Sequence, residues 1–270
     1  MYEDEVIDLK LLYWNLNSNN NESYVKKIIE QEDLDIVILS EYRKTDLESL
    51  VSKLNYTFNI YNGYGVCDKV VMLAKKNIKV WVNREQSRYT IYSINDNNQK
   101  YIIVGVHLPS NPLSDSNDRK MVIRDILEDL MEQEGKDRHD FSIIIGDMNA
   151  CPFDDELICK DGFNAVLYKK IIQKNEFCKY QGKKLRYLYN PALRFWDEEN
   201  EQCGSFYYTS TIKSLFWYCY DQILMSKALI DSFKSMKFCN YIGGECLLKD
   251  IRPNKEISDH LALVAEFERG

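Results

Sequence analysis

Short apolar runs recur along the chain, and the longest of them lack the polar alternation of a half-exposed strand. Leu34–Leu39, Tyr101–Val106, Phe141–Ile145 and Leu261–Phe267 are of this kind, and Ile7–Trp14 alternates before it runs apolar. Such runs, rich in β-branched residues, are the pattern of strands covered on both faces. Shorter strands are predicted at Tyr56–Ile60, Val66–Ala74, Ile78–Val82 and Tyr89–Ile94, joined by Asn-rich or Gly-containing turns. Later ones are predicted at Ser205–Tyr208, Cys219–Met225 and Phe233–Cys239. Helical spacing appears three times. Ser23–Gln31 puts Val25, Ile28 and Ile29 on one face, and Asp46–Leu54 is amphipathic. Asp118–Glu134 is expected to turn Val122, Ile126, Leu127, Leu130 and Met131 inward and to stop at Gly135. The stretch after Asn149 carries only weak helical signals.

The residues at the ends of the apolar runs are chemically more pointed than the runs themselves. Phe141–Ile145 breaks at Gly146 and delivers Asp147 and Asn149, one residue apart. Taken alone this is ordinary turn chemistry. The other runs end in the same manner. The first gives Asn15-Leu16-Asn17, the second Ser40-Glu41-Tyr42-Arg43, and Tyr101–Val106 gives His107. Asp221 lies in the Cys219–Met225 run, and Ser258-Asp259-His260 precedes the last strand. The chain has three histidines, and two of them, His107 and His260, stand at strand ends. His139 sits in a charged loop and is assigned nothing. A sheet that ends its strands this way can aim several carboxylates, amides and imidazoles into one cleft.

Composition narrows the class. With 270 residues, 45% of them hydrophobic, and no Pro-, Gly- or Ser-rich linker, one domain over residues 1–270 is expected. The acidic opening Met-Tyr-Glu-Asp-Glu does not suit a signal peptide, and no apolar run has membrane-spanning length. A soluble, cytoplasmic protein without a membrane segment is expected; the sequence names no protein partner. Eight cysteines form no Cys-x-x-Cys pair, so reduced thiols are expected rather than a zinc site or disulfide framework. The net charge of −7 hides an asymmetry. From Lys160 to Arg194, seven lysines and two arginines face only Asp161 and Glu176, a local +7. A solvated face accounts for this as readily as a polyanion site does.

On Gly146-Asp147-Met148-Asn149, Tyr220-Asp221-Gln222-Ile223-Leu224 and Ser258-Asp259-His260, the sequence resembles the endonuclease/exonuclease/phosphatase (deoxyribonuclease I-like) superfamily. The resemblance runs from Trp14-Asn15 to His260 in the family's order. It implies a four-layer α/β sandwich, two mixed sheets face to face with helices outside, which agrees with strands apolar on both faces. It also implies roles. Glu41 is similar to the principal metal carboxylate, with Asn15 and Asp259 close to the same ion, Mg2+ or Mn2+. Asp147 is similar to the group that orients or deprotonates the attacking water, and Asn149 to the amide that holds the scissile phosphate. His260 resembles the phosphate-contacting histidine and Asp221 the acid that fixes its tautomer. The set makes physical sense, because a phosphodiester anion repels nucleophiles and needs positive charge, an aligned water and a proton for the leaving oxygen.

His107 stands where abasic-site endonucleases typically carry Tyr, and resembles the acid of the deoxyribonuclease and sphingomyelinase branches. On the substrate side, the candidates are Asn17 and Arg43 in the loops after the first two strands, Trp217 and Tyr218 beside Asp221, and Lys183, Lys184 and Arg186 in the basic segment. The expected activity is metal-dependent phosphodiester hydrolysis with nucleic acid as substrate. The alternatives are a phosphatase or phosphodiesterase on a small or lipid phosphate, and a binding module without catalysis. The last would be expected to lose Glu41 or the Asp147/Asn149 pair, and both are present.

Overall fold

The computed structural model describes residues 8–19, 21–96, 99–110, 115–196, 204–210 and 214–269. β1 (Asp8–Asn15) runs parallel to β2 (Ile36–Ser40), and α1 (Glu22–Glu32) crosses between them. α2 (Lys44–Lys53) leads to β3 (Phe58–Tyr61) and β4 (Val70–Lys75), which pairs antiparallel with β2. β5 (Lys79–Gln86), β6 (Tyr89–Asn95) and β7 (Lys100–His107) then form an antiparallel meander. α3 (Ser116–Asp137) crosses to β8 (Ser142–Asp147), which lies parallel to β7. The strand Asp221–Met225 pairs antiparallel with β8, and Ala262–Glu268 antiparallel with β1. The result is a six-stranded and a seven-stranded mixed sheet, each with a central parallel pair flanked by a strand from late in the chain, and the seven-stranded one with a second, short parallel pair at its edge.

The absence of polar alternation in β7 and β8 has a direct cause. Side chains of a strand alternate between faces, and here both faces are covered. Ile143 and Ile145 join a core with Ile38, Met72 and Ile223, between the two sheets. Ile144 points the other way and joins Ile102, Val104 and Val106 beneath Ile123, Ile126 and Leu130 of α3. The sheets approach so closely that a Cβ at Gly105 would stand 2.7 Å from Val70 Cγ1 and 3.3 Å from Ile38 Cγ2. On the outer face of the first sheet, α1 and α2 bury Val25, Ile28, Ile29, Leu47 and Leu50. Truncating one such core side chain to Ala costs about 2–5 kcal/mol.

The inward set of α3 differs from the expectation. Arg119, Ile123, Ile126, Leu130 and Gln133 are buried, whereas Met131 is 67% exposed and Val122 and Leu127 lie at the flanks. Two buried polar residues, Arg119 and Gln133, rotate the stripe away from the purely apolar reading. Nor does the helix stop at Gly135. It continues to Asp137 and is closed by Arg138 in the left-handed conformation, whose N–H donates to Glu134 O at 2.8 Å. Its start is fixed by a capping box, Asp115 accepting from the backbone of Asn117 and Asp118. The basic segment holds the short helix Lys169–Lys174 and then an antiparallel ribbon, Phe177–Tyr180 with Lys183–Arg186, which weak helical signals do not anticipate. Among the described residues no helix is long and apolar enough to cross a membrane.

Candidate active site

Parallel strands contribute their C-terminal ends, and the antiparallel strands beside them contribute their beginnings, so both kinds deliver residues to one edge. Asn15 is in register with Ser40, His107 with Asp147, and Asp221 with Asp147. Glu41 follows Ser40 with φ 46° and Asn149 follows the Asp147 strand with φ 46°. Asn adopts the left-handed region readily, whereas Glu does so at a cost, in the range of about 1–3 kcal/mol given for sparsely populated backbone conformations. The Glu41 carbonyl is tied down by Ser18 N–H at 2.8 Å. Gly146 is required for another reason: a Cβ there would lie 1.8 Å from Val106 O on the neighbouring strand.

The side chains meet. Asn15 Nδ2 donates to Glu41 Oε1 at 3.2 Å and to Asp147 Oδ2 at 3.3 Å. His107 Nε2 lies 3.6 Å from Glu41 Oε1 and 3.8 Å from Asp147 Oδ2. Its Nδ1 is buried without a hydrogen-bond partner among the described residues. Asp147 Oδ1 accepts from Asn149 N–H at 2.8 Å, while Asn149 Nδ2 donates to Leu108 O at 2.9 Å. On the other side His260 Nε2 stands 3.9 Å from Asp147 Oδ2, and its Nδ1 is 2.7 Å from Asp221 Oδ2.

The electrostatics reflect burial and charge. Burial pulls the His260 imidazolium down, but Asp221, with Asp147 and Asp259 behind it, overrides this and pushes the pKa up to about 10. Burial raises the Asp259 carboxyl, His260 pulls it back, and Glu41 adds to the rise. Among the described residues Glu41, Asp147 and Asp259 have no Lys or Arg ion pair; the basic side chains beside them are histidines, with a weak pull on Asp259 from Lys255. This excess of oxygen donors over cations fits a hard divalent ion. Glu41, Asp259 and Asn15 could hold one. Asp147, Asp221 and His260 lie closer, their ligand atoms within 4.8 Å. That triple suits a metal less well, because His260, held protonated by Asp221, offers no lone pair to an ion.

Several supporting residues were not anticipated. Ser258 Oγ donates to Asn15 O at 2.6 Å and accepts from His260 N–H at 3.0 Å, joining the first and last strands beneath the site. Trp14 Nε1 donates to His260 O at 2.9 Å. Ser205 Oγ accepts from Asp221 N–H at 3.1 Å, and the Phe206 ring lies 4.9 Å from the His260 ring. The Ser-Asp-His triplet made Ser258 visible in the sequence; nothing local marks Ser205.

The substrate-side candidates are scattered. Asn17 N–H donates to Asn15 Oδ1 at 3.0 Å. Arg43 is turned to Asp46 at 2.8 Å, at the start of α2. Trp217 stands edge-on to Tyr207, and Tyr218 is buried against Tyr220. Lys183 is exposed and Lys184 lies 3.7 Å over the Phe177 ring. Arg186 forks onto Glu134 at 2.6 and 2.7 Å, which makes it a scaffold residue rather than a free cation. A groove of about 630 Å3 between α1, α2 and β3–β4 touches none of the site residues.

Two facing mixed sheets with acids, amides and histidines gathered at one edge define a phosphoric ester hydrolase of the α/β sandwich type. The model of the Endonuclease/Exonuclease/phosphatase family matches residues 12–260, and the chain belongs to that family. Solved structures agree in fold. TDP2 from Caenorhabditis elegans is 17% identical with a TM-score of 0.63, over 99% of this chain and 77% of that one. D. rerio TDP2 complexed with single-strand DNA product is 16% identical with a TM-score of 0.61, over 97% and 99%. The Bacteroides vulgatus endonuclease/exonuclease/phosphatase is 13% identical with a TM-score of 0.61, over 98% and 100%. No curated protein matches the sequence.

Proposed function

We propose that this hydrolase is a divalent-metal-dependent phosphodiesterase that cuts nucleic-acid backbones. The observation that carries the reading is the site's charge. Glu41, Asp147 and Asp259 lack Lys or Arg ion pairs among the described residues, and the buried cation His260 lies 3.9 Å from Asp147. Glu41, Asp259 and Asn15 would hold Mg2+ or Mn2+, which when bound supplies the positive charge a phosphate anion needs. Asp147, 2% exposed and fixed by Asn149 N–H, orients a water and takes its proton as the oxygen attacks phosphorus. Asp221 accepts from His260 Nδ1, leaving Nε2–H directed at a phosphoryl oxygen. Asn149 Nδ2 spends one N–H on Leu108 O and has a second for the phosphate. His107 Nε2, facing the same cleft, gives a proton to the leaving oxygen as the P–O bond breaks.

A nucleic-acid substrate is favoured by the aromatic wall beside His260, where Phe206 contacts Tyr208 and Tyr220. The zebrafish TDP2 structure holds a single-strand DNA product on the same fold. The test is a panel of plasmid, single strands, RNA, inositol phosphates and sphingomyelin, each with Mg2+, Mn2+ or EDTA. Cleavage of DNA or RNA that vanishes in EDTA is expected. Turnover confined to inositol phosphates or sphingomyelin would move the assignment to a small-phosphate enzyme, and full turnover in EDTA would remove the metal role of Glu41.

A further inference from the structure

The basic segment leads away from the cleft. After the short helix Lys169–Lys174 the chain forms the ribbon Phe177–Tyr180 with Lys183–Arg186, which belongs to neither large sheet. Two contacts locate it. Glu134, gripped by Arg186, accepts from Ser142 Oγ at 2.5 Å, and Ser142 opens β8. Tyr189, just beyond the ribbon, pairs with Met225, the far end of the strand that begins at Asp221. Both ties place the ribbon at the end of the sheet opposite Asp147. Five residue steps of ~3.3 Å make the separation roughly 16 Å or more.

The surface has a definite chemistry. Lys170, Lys174, Lys179, Lys183 and Lys184 are exposed, and none has an ion pair among the described residues. Tyr168, Phe177 and Tyr180 are exposed between them. Lysines suit phosphates as mobile point charges, and rings set among them suit unstacked bases. A lipid surface would want a continuous apolar face, but of the short helix's two isoleucines only Ile171 is exposed and Ile172 is buried inward.

We propose that this ribbon is a nucleic-acid exosite, gripping the polymer at a point remote from hydrolysis. The proposal rests on the nuclease reading of the cleft. At ~3.4 Å per nucleotide a stacked strand needs about five nucleotides to reach both places, and one with unstacked bases needs fewer. Strands that reach both places gain affinity through the ribbon, and shorter ones do not.

The experiment compares the wild-type chain with the triple variant Lys179→Ser, Lys183→Ser, Lys184→Ser, and with the triple Lys→Arg variant. Hydrolysis is followed on strands of about 2 and about 30 nucleotides, and binding of the longer strand in EDTA is titrated against salt. Wild type is expected to favour the longer strand in kcat/KM by about tenfold or more. The Ser triple should bring that ratio near one and flatten the salt slope by about 0.7 for each phosphate no longer neutralised; the Arg triple should keep both. Hydrolysis with the length ratio and slope unchanged in the Ser triple overturns the exosite and leaves the cleft reading intact. Ribbon-dependent binding without hydrolysis of any strand overturns the cleft reading and leaves the exosite. Ribbon-dependent binding of phosphatidylserine vesicles, with none of nucleic acid, overturns the exosite.

Discussion

The two ends of β8 are both crowded with charge, yet they are built on opposite terms. At the Ser142 end Glu134 meets Arg186 through two short hydrogen bonds, and both residues are largely covered. At the Asp147 end Glu41, Asp147 and Asp259 crowd together with no Lys or Arg ion pair among the described residues. A carboxylate with its own guanidinium is electrostatically complete. A group of carboxylates without one is stable only by raised protonation, by histidine, or by a cation from outside. The contrast separates scaffold from chemistry without reference to any relative.

The strongest way to break the contrast is at its catalytic end. His260→Ala should lower kcat by about 10^3-fold or more on the substrate the panel identifies, and should lower the melting temperature as well, because it leaves Asp221 buried without its partner. A loss below about tenfold would mean that His260 is structural. Glu41→Gln should weaken Mn2+ binding by at least about tenfold in calorimetry; unchanged affinity would place the ion elsewhere.

Asp221→Asn tests the origin of the His260 charge. In metal-free protein the His260 pKa stands near 10 against an ordinary 6.5. A raised pKa contributes its stability in full below about 6.5 and loses it as pH climbs through about 10. The melting temperatures of wild type and Asp221→Asn should therefore differ most near pH 6 and converge toward pH 10. A gap independent of pH would show that the aspartate acts by packing alone. The smallest effect belongs to the scaffold end. Arg186→Met should cost about 1–3 kcal/mol of stability by leaving Glu134 without its partner. Its signature is a lowered melting temperature at low and high salt alike.

The sequence showed the catalytic end more clearly than the scaffold end, for physical reasons. Strands covered on both faces leave uninterrupted apolar runs, and their polar ends then stand out, as Asn15, Glu41, His107 and Asp147 do. The facing of Asp147 and Asp221, in contrast, depends on strand pairing between distant segments. The ribbon at Phe177–Arg186 was hidden because its strands are mostly exposed and their few half-buried positions do not alternate. Arg186 looked like a free cation because its partner lies 52 residues away on a helix. Met131 failed as a core position because the buried Arg119 sets the phase of α3, held by Glu156 at 2.7 Å.

The pairing of β1 with Ala262–Glu268 has a consequence for synthesis. Asn15 and Ser258 are joined across 243 positions, and Trp14 and His260 across 246. A ribosome that has delivered Asp147, Asn149 and even Asp221 has therefore still not completed the proposed site. The nascent chain holds an acidic edge that still lacks Asp259 and His260, and becomes competent when the strand after His260 docks. On the proposed roles of Asp259 and His260, a message truncated before that strand should yield an inert product rather than a partly active one.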